Sequence, residues 1–374
     1  MDALFSTNMS SGLKNATETT NPSAMQELSL ADRIEKIFKV SLLCLIALAN
    51  IAGNSSICFV VLKDRYLRLT VRNFVVASLA LTDLLVVQLI IFQVLTYYNI
   101  GKEPNLCNLM GQNFGVLLYV STLHLFTLSL DRYIAIFYPL RYRFLVTPKR
   151  ITVILLTIWI IPLISIHLLP AVITDLHGFP SFYVCINEGF IEEKDRMNRA
   201  HMFINVTFLF FLPLIAMMAA YYRISKIAWY QANRVGVAVV ESTVRVQSSR
   251  LPRARERKWA KTLAIVIGAF LGCYLPVVVA SLVHIYSGGT TNHELAKTLE
   301  MLMFLTFLNT VLNPMIYSLR NNEYRRAFNK ICGKCFRDVN NDPRSRVNYI
   351  RHEMESQTVS TLMSTSLHHR DSVS

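Results

Sequence analysis

Seven stretches of this chain are long and apolar enough to cross a bilayer, and no other feature constrains its fold as tightly. They cover residues 37–62, 74–95, 110–130, 151–172, 202–224, 260–286 and 299–317. A helix of about 20 residues spans about 30 Å of hydrocarbon. The bilayer core holds no water, so each span must satisfy its own backbone groups, and helices do so. Composition agrees: 53% of the 374 residues are hydrophobic and 17% are charged, against about a quarter charged in soluble domains. Seven such runs are too many for the buried helices of one soluble protein. The expected fold class is an all-α membrane protein, a bundle of seven transmembrane helices.

The formal charge of +14 could point to nucleic acid, but its placement points to topology. Lys63, Arg65, Arg68 and Arg72 follow the first span, and Arg141, Arg143, Lys149 and Arg150 follow the third. Arg245, Arg250, Arg253, Arg255, Arg257 and Lys258 precede the sixth, and Arg320, Arg325, Arg326 and Lys330 follow the seventh. The opposite loops are poorer in Lys and Arg. The positive-inside bias then puts the N-terminus outside the cell and the C-terminus in the cytoplasm, in a multi-pass plasma-membrane protein with no nucleic-acid partner. Residues 1–30 contain no apolar signal-peptide core, so the first span acts as the signal anchor. The reading divides the chain into an extracellular, disordered tail (1–36), the bundle (37–319), a short amphipathic eighth helix (320–335) and a disordered cytoplasmic tail (336–374). Asn8 and Asn15 head glycosylation sequons in the outer tail, whereas Asn21 is disqualified by Pro22.

Seven cysteines fit this topology. Cys107 and Cys185 both fall on the oxidising side, which allows a disulfide from the top of the third span to the following outer loop. Cys332 and Cys335 lie just past the seventh span, beside Lys330 and Lys334, where palmitoylation by membrane enzymes is expected. Cys44, Cys58 and Cys273 fall within spans and read as packing residues.

Cys107 and Arg132 are 25 residues apart, about 37 Å along a helix. That is a full crossing, so the acid and base of "SLDRYIAIFYPLRY" lie at the cytoplasmic edge rather than in lipid. The motif has company: Gly53-Asn54, "LALTD" ending at Asp83, Ser121, Trp159, Pro213, Tyr221, Phe270 with "CYLP", and "NPMIY" from Asn313 to Tyr317. In this ordered set the chain resembles the class A (rhodopsin-like) G protein-coupled receptors over residues 38–332. The resemblance implies a receptor and not an enzyme, with an extracellular ligand and a heterotrimeric G protein as partners. It implies switch residues Asp131, Arg132, Tyr133, Tyr221, Asn313, Pro314 and Tyr317, with Glu256 clamping the Arg132 guanidinium from the sixth span until activation. It also implies a polar cluster of Asn54, Asp83, Ser121, Asn309 and Asn313, which in many members holds a sodium ion; a protonated Asp83 without an ion is the alternative. After the seventh span, Tyr324, Phe328 and Ile331 form the apolar face of the short eighth helix on the membrane lipids.

The ligand is read mainly by exclusion. Phe114 stands where amine receptors carry an Asp counter-ion, which argues against a monoamine, and Phe307 replaces the lysine that binds retinal in opsins. Tyr274 replaces the usual Trp of the sixth span, and the first outer loop lacks the family's Trp. The pocket expected is Gln93, Phe114, Leu118, Asn205, Tyr274, Val277, Val278, Ser281, Met303 and Phe307. With outer acids Glu188, Glu192, Glu193, Glu294 and Glu300 above it, a peptide is the favoured ligand, and a lipid or other small molecule the alternative. A chemosensory receptor of the same fold is a further reading, because "LNPMIYSLRN" also suits that group. A transporter would show repeats and several intramembrane charges. The hydroxyl-rich "SQTVSTLMSTS" of the tail suits receptor kinases and then arrestin.

Overall fold

The computed structural model describes residues 22–65, 67, 70–100, 103–172, 196–235, 247–286, 293–320 and 324–330. Seven of its helices are long and apolar enough to span a membrane, between Leu30–Lys63 and Lys297–Leu319. Helix α1 covers Pro22–Lys63, and α2 runs as two pieces, Val71–Leu85 and Val87–Tyr97. Helix α3 covers Pro104–Phe137. Helix α4 begins at Pro148–Leu163 and continues through a π-helical turn, Ile164–Leu168, to Val172. Helix α5 is Arg196–Asn205, a second π turn at Val206–Phe211, and Leu212–Val235. Helices α6 and α7 are Gln247–Tyr286 and His293–Arg320. Residues 324–330 form a further short helix, α8.

Local chemistry sets several of these ends. Pro104 and Pro148 occupy first-turn positions of α3 and α4, where a missing N–H removes nothing the helix needs. The Thr147 hydroxyl accepts from the Arg150 backbone N–H at 3.4 Å, capping α4. The helices run several residues past most apolar runs, because polar ends continue the helix into the headgroup zone. Two irregularities accompany prolines: the π turn of α4 follows Pro162, and that of α5 ends two residues before Pro213. The break in α2 at Val86 has no proline and no sequence signal; the Val86 N–H turns to the Asp83 carbonyl at 3.2 Å.

Helix α3 lies at the centre. Some 78% of its most apolar window is buried, against 22% for α4. Outward faces stay apolar, with Leu45, Leu48, Phe59 and Leu62 exposed, as a lipid-facing surface requires. At Gly53 the backbones of α1 and α7 approach closely: a Cβ there would stand 2.7 Å from Pro314 Cγ. Helix α8 packs against the bundle through one face. Tyr324 and Ala327 are buried while Phe328 is exposed, since the Tyr324 hydroxyl donates to Asn73 Oδ1 at 3.2 Å and so fixes which side meets the bundle. Ile331 lies outside the described residues.

Candidate functional site

Near the C-terminal end of α3, Asp131 and Arg132 are both buried. The Arg132 Nε donates to Asp131 Oδ2 at 3.0 Å, and its Nη2 also contacts that oxygen. The other carboxylate oxygen accepts from the Tyr142 hydroxyl at 2.6 Å. Tyr142 belongs to a single helical turn, Tyr142–Leu145, after α3. Burial, then the Asp131 charge, push the Tyr142 hydroxyl up, so it stays a donor at physiological pH. A buried carboxylate with partners on both oxygens can hold its neighbour's guanidinium without an uncompensated charge. Tyr133 points elsewhere, stacking on Phe137 at 4.3 Å and accepting from Arg223 at 3.2 Å. Glu256 falls within α6, but its side chain lies outside the described residues, so the expected clamp has no geometry here.

Midway along the bundle, Asp83 is buried and its Oδ2 accepts from Asn313 Nδ2 at 2.9 Å. Asn54 Nδ2 donates to the Thr310 carbonyl at 2.9 Å and to Asn50 Oδ1 at 2.8 Å, while Asn50 Nδ2 donates to the Asp83 carbonyl at 2.8 Å. Ser121 and Asn309 are buried with them. Four oxygens, Asp83 Oδ1, Asn54 Oδ1, Asn309 Oδ1 and Asn313 Oδ1, have no partner among the described residues. Below them the Tyr317 hydroxyl is also buried and unpartnered, and its ring stacks over Tyr324. Tyr221 is half-buried.

Towards the opposite end of the bundle from Arg132, every expected pocket residue is buried. Phe114 faces Tyr274 at 6.4 Å between ring centroids, Tyr274 lies 4.7 Å from Phe270, and Phe270 lies 6.2 Å from Phe210. This aromatic row joins α3, α6 and α5. Asn205 in α5 accepts from the Ser165 hydroxyl of α4, and its Nδ2 meets His201 Nε2 at 2.9 Å. The Ser281 hydroxyl is used on the Val277 carbonyl. Cys107 is disulfide-bonded. Cys185, Asn8, Asn15, Cys332, Cys335, the acids Glu188, Glu192 and Glu193, and the Ser/Thr-rich tail lie outside the described residues.

Residues 53–317 match the model of the family described as 7 transmembrane receptor (rhodopsin family). The chain belongs to that family. This G protein-coupled receptor is 33% identical over 308 residues to the Histamine H2 receptor of Homo sapiens, covering 79% of each chain. It is 29% identical to the 5-hydroxytryptamine receptor 1B of Cricetulus griseus, covering 79% of this chain and 87% of that one. With the Octopamine receptor beta-1R of Drosophila melanogaster it shares 31% identity over 78% of this chain and 60% of the other. Membership makes it a multi-pass plasma-membrane receptor, not an enzyme, with an extracellular ligand and a G protein as partners.

These relatives overturn one expectation. Excluding a monoamine rested on Phe114 replacing an aspartate, and preferring a peptide rested on the outer acids, yet the kinship runs to receptors named for histamine, 5-hydroxytryptamine and octopamine. The physical flaw is that one position cannot exclude a class. A cation can be received by an acid on another helix or by aromatic faces.

Sequence reasoning also missed several participants. Tyr142 carried no signal beyond its place in the motif. Ser78 of α2 joins His124 Nε2 at 2.8 Å and the Trp159 indole N–H at 3.1 Å, tying α2, α3 and α4 together. Lys39 of α1 and Tyr97 of α2 meet Glu300 of α7, one of the acids expected above the pocket. Their sequence separations, 203 and 261 residues, explain why no local pattern exposed them.

Proposed function

We propose that this receptor responds to a small extracellular amine and relays its binding to Arg132, which then engages the G protein. The observation that carries this reading is the 33% identity over 79% of the chain with a receptor named for histamine. The buried aromatic pair Phe114 and Tyr274 supports it, since ring faces suit an aromatic ligand body. Asn205, Ser165 and His201 supply a polar wall on the α4–α5 side.

Coupling follows from the pieces between. The Asp131–Arg132–Tyr142 group holds the guanidinium in the resting arrangement, and Glu256 of α6 is the second partner in this reading. A ligand biases such a switch only by the difference in its affinity for the two states. The cluster of Asp83, Asn54, Ser121, Asn309 and Asn313 suits a sodium ion: beside the Asn309 amide nitrogen, four of its oxygens lack a partner among the described residues, and hard cations prefer oxygen ligands. An ion there would favour the resting state by holding α2, α3 and α7 together.

The N-terminus is outside and the tail cytoplasmic in this reading, with Cys107 bridged to Cys185, Asn8 and Asn15 glycosylated, and Cys332 and Cys335 palmitoylated. The tail's hydroxyls serve receptor kinases and then arrestin. The deciding experiment expresses the full-length receptor in cells with reporters for several G proteins. Histamine, 5-hydroxytryptamine and octopamine are each applied beside an analogue lacking the amino group. Saturable nucleotide exchange with at least one amine is expected; silence to all three at millimolar concentration refutes the ligand class.

A further inference from the structure

Phe114 leaves α3 without a carboxylate for a ligand's ammonium group, while a carboxylate stands near the outer end of the bundle on α7. Glu300 is half-buried, and its Oε1 accepts from the Tyr97 hydroxyl of α2 and from Lys39 Nζ of α1 at 3.0 Å. The Glu300 side chain remains a quarter exposed. One turn below Tyr97, Gln93 is 7% exposed and its amide oxygen is buried without a partner. The Gln93 side chain also reaches the Tyr97 hydroxyl. A ladder of polar groups therefore runs from Gln93 through Tyr97 to Glu300, beside the pocket that holds Met303 and Phe307 on α7.

We propose that Glu300 and Gln93 receive the ligand's ammonium group, moving the cation site from α3 to the α2–α7 side of the bundle. This rests on the amine reading above and specifies where that amine binds. The chemistry matches: an ammonium offers three donors, and the site holds a partly exposed carboxylate and an amide oxygen, Gln93 Oε1, with no partner among the described residues. An orphaned acceptor as buried as Gln93 Oε1 is costly unless something donates to it. Lys39 is the resident competitor for the Glu300 carboxylate. It has an alternative partner in Glu35, at 2.7 Å, and can swing outward when the ligand arrives. Lys36, 4.2 Å above the Tyr98 ring, and Lys297 on α7 flank the group as well. An arriving cation must therefore reach Glu300 by hydrogen-bond geometry rather than by long-range attraction.

The test compares Glu300→Gln, Gln93→Leu and Lys39→Met in the full-length receptor, at matched surface expression. The readout is G-protein exchange driven by whichever of histamine, 5-hydroxytryptamine and octopamine activates the wild type, and by its analogue lacking the amino group. Expected results are a rise of at least tenfold in half-maximal amine concentration for Glu300→Gln and a smaller rise for Gln93→Leu. Lys39→Met should lower that concentration, because it removes the competitor, and the neutral analogue should respond alike in all four proteins. A merely structural latch would make Glu300→Gln and Lys39→Met fail together. That outcome, or equal losses for amine and neutral analogue, overturns the site while leaving the amine reading intact. If no amine activates the wild type, the ligand class itself has failed and the site falls with it.

Discussion

The same substitution, glycine to alanine, should have opposite signs at three helical positions of this receptor. At Gly53 an added Cβ would lie 2.7 Å from Pro314 Cγ and 3.0 Å from Pro314 Cβ. Ordinary carbon contacts sit at about 3.5–4.0 Å, so α1 and α7 must separate by about 1 Å. The proline ring is rigid and cannot swing aside as a long side chain would. Overpacking of this kind costs about 1–3 kcal/mol, and alanine's better helix propensity returns about 1 kcal/mol. The net is a destabilisation of about 1 kcal/mol. The shift would also stretch the 2.9 Å bond from Asn54 to the Thr310 carbonyl. At Gly268 and Gly272 a Cβ meets nothing within 4 Å, so only the propensity gain of up to about 1 kcal/mol remains. Thermal unfolding of the detergent-solubilised receptor, followed with a thiol-reactive dye that reports exposure of buried Cys273, reads the difference. With about 2–4 °C per kcal/mol, Gly53→Ala should lower Tm by a few degrees, whereas Gly268→Ala and Gly272→Ala should raise it slightly. A rise in Tm for Gly53→Ala matching that of the other two would refute the close approach of α1 and α7.

Tyr142→Phe removes a donor to a charged carboxylate, a bond of about 1.5–3 kcal/mol. Ligand-free G-protein exchange should rise by roughly tenfold, and unchanged basal activity at equal surface expression would show that Tyr142 does not hold the resting state. Ser78→Ala strips His124 Nε2 and the Trp159 indole of a shared partner and should destabilise by about 1–3 kcal/mol, seen as a lower Tm with ligand response retained. Wild-type agonist affinity should fall as sodium replaces a large organic cation in the buffer. Asp83→Asn should abolish that dependence, and a sodium effect surviving the substitution would remove the ion from this cluster.

The spans, their number and the fold class were legible in the sequence because each is a local consequence of solvent. A segment without water must close its own hydrogen bonds, so about twenty apolar residues are sufficient evidence of a crossing helix. The residues of the polar cluster were singled out by ordered motifs, and the buried pair Asp131–Arg132 is adjacent in the chain. Other features had no such local cause. The break at Val86 occurs among ordinary apolar residues. The bond from Tyr324 to Asn73, 251 residues apart, that ties α8 to the bundle left no local pattern. Phe114 misled because a single position of helix 3 was weighed as if it decided the ligand class.

What the sequence determined by itself is that seven rods cross a membrane with their basic ends on one side, since hydropathy and charge act residue by residue. Which side chains meet between those rods was decided only in three dimensions. Glu300, Tyr97 and Lys39 converge because helix packing sets the rotation and depth of α1, α2 and α7 relative to one another. Gly53 permits the close contact of α1 with Pro314 for the same reason: distances between helices depend on all the side chains between them, not on any one stretch of chain.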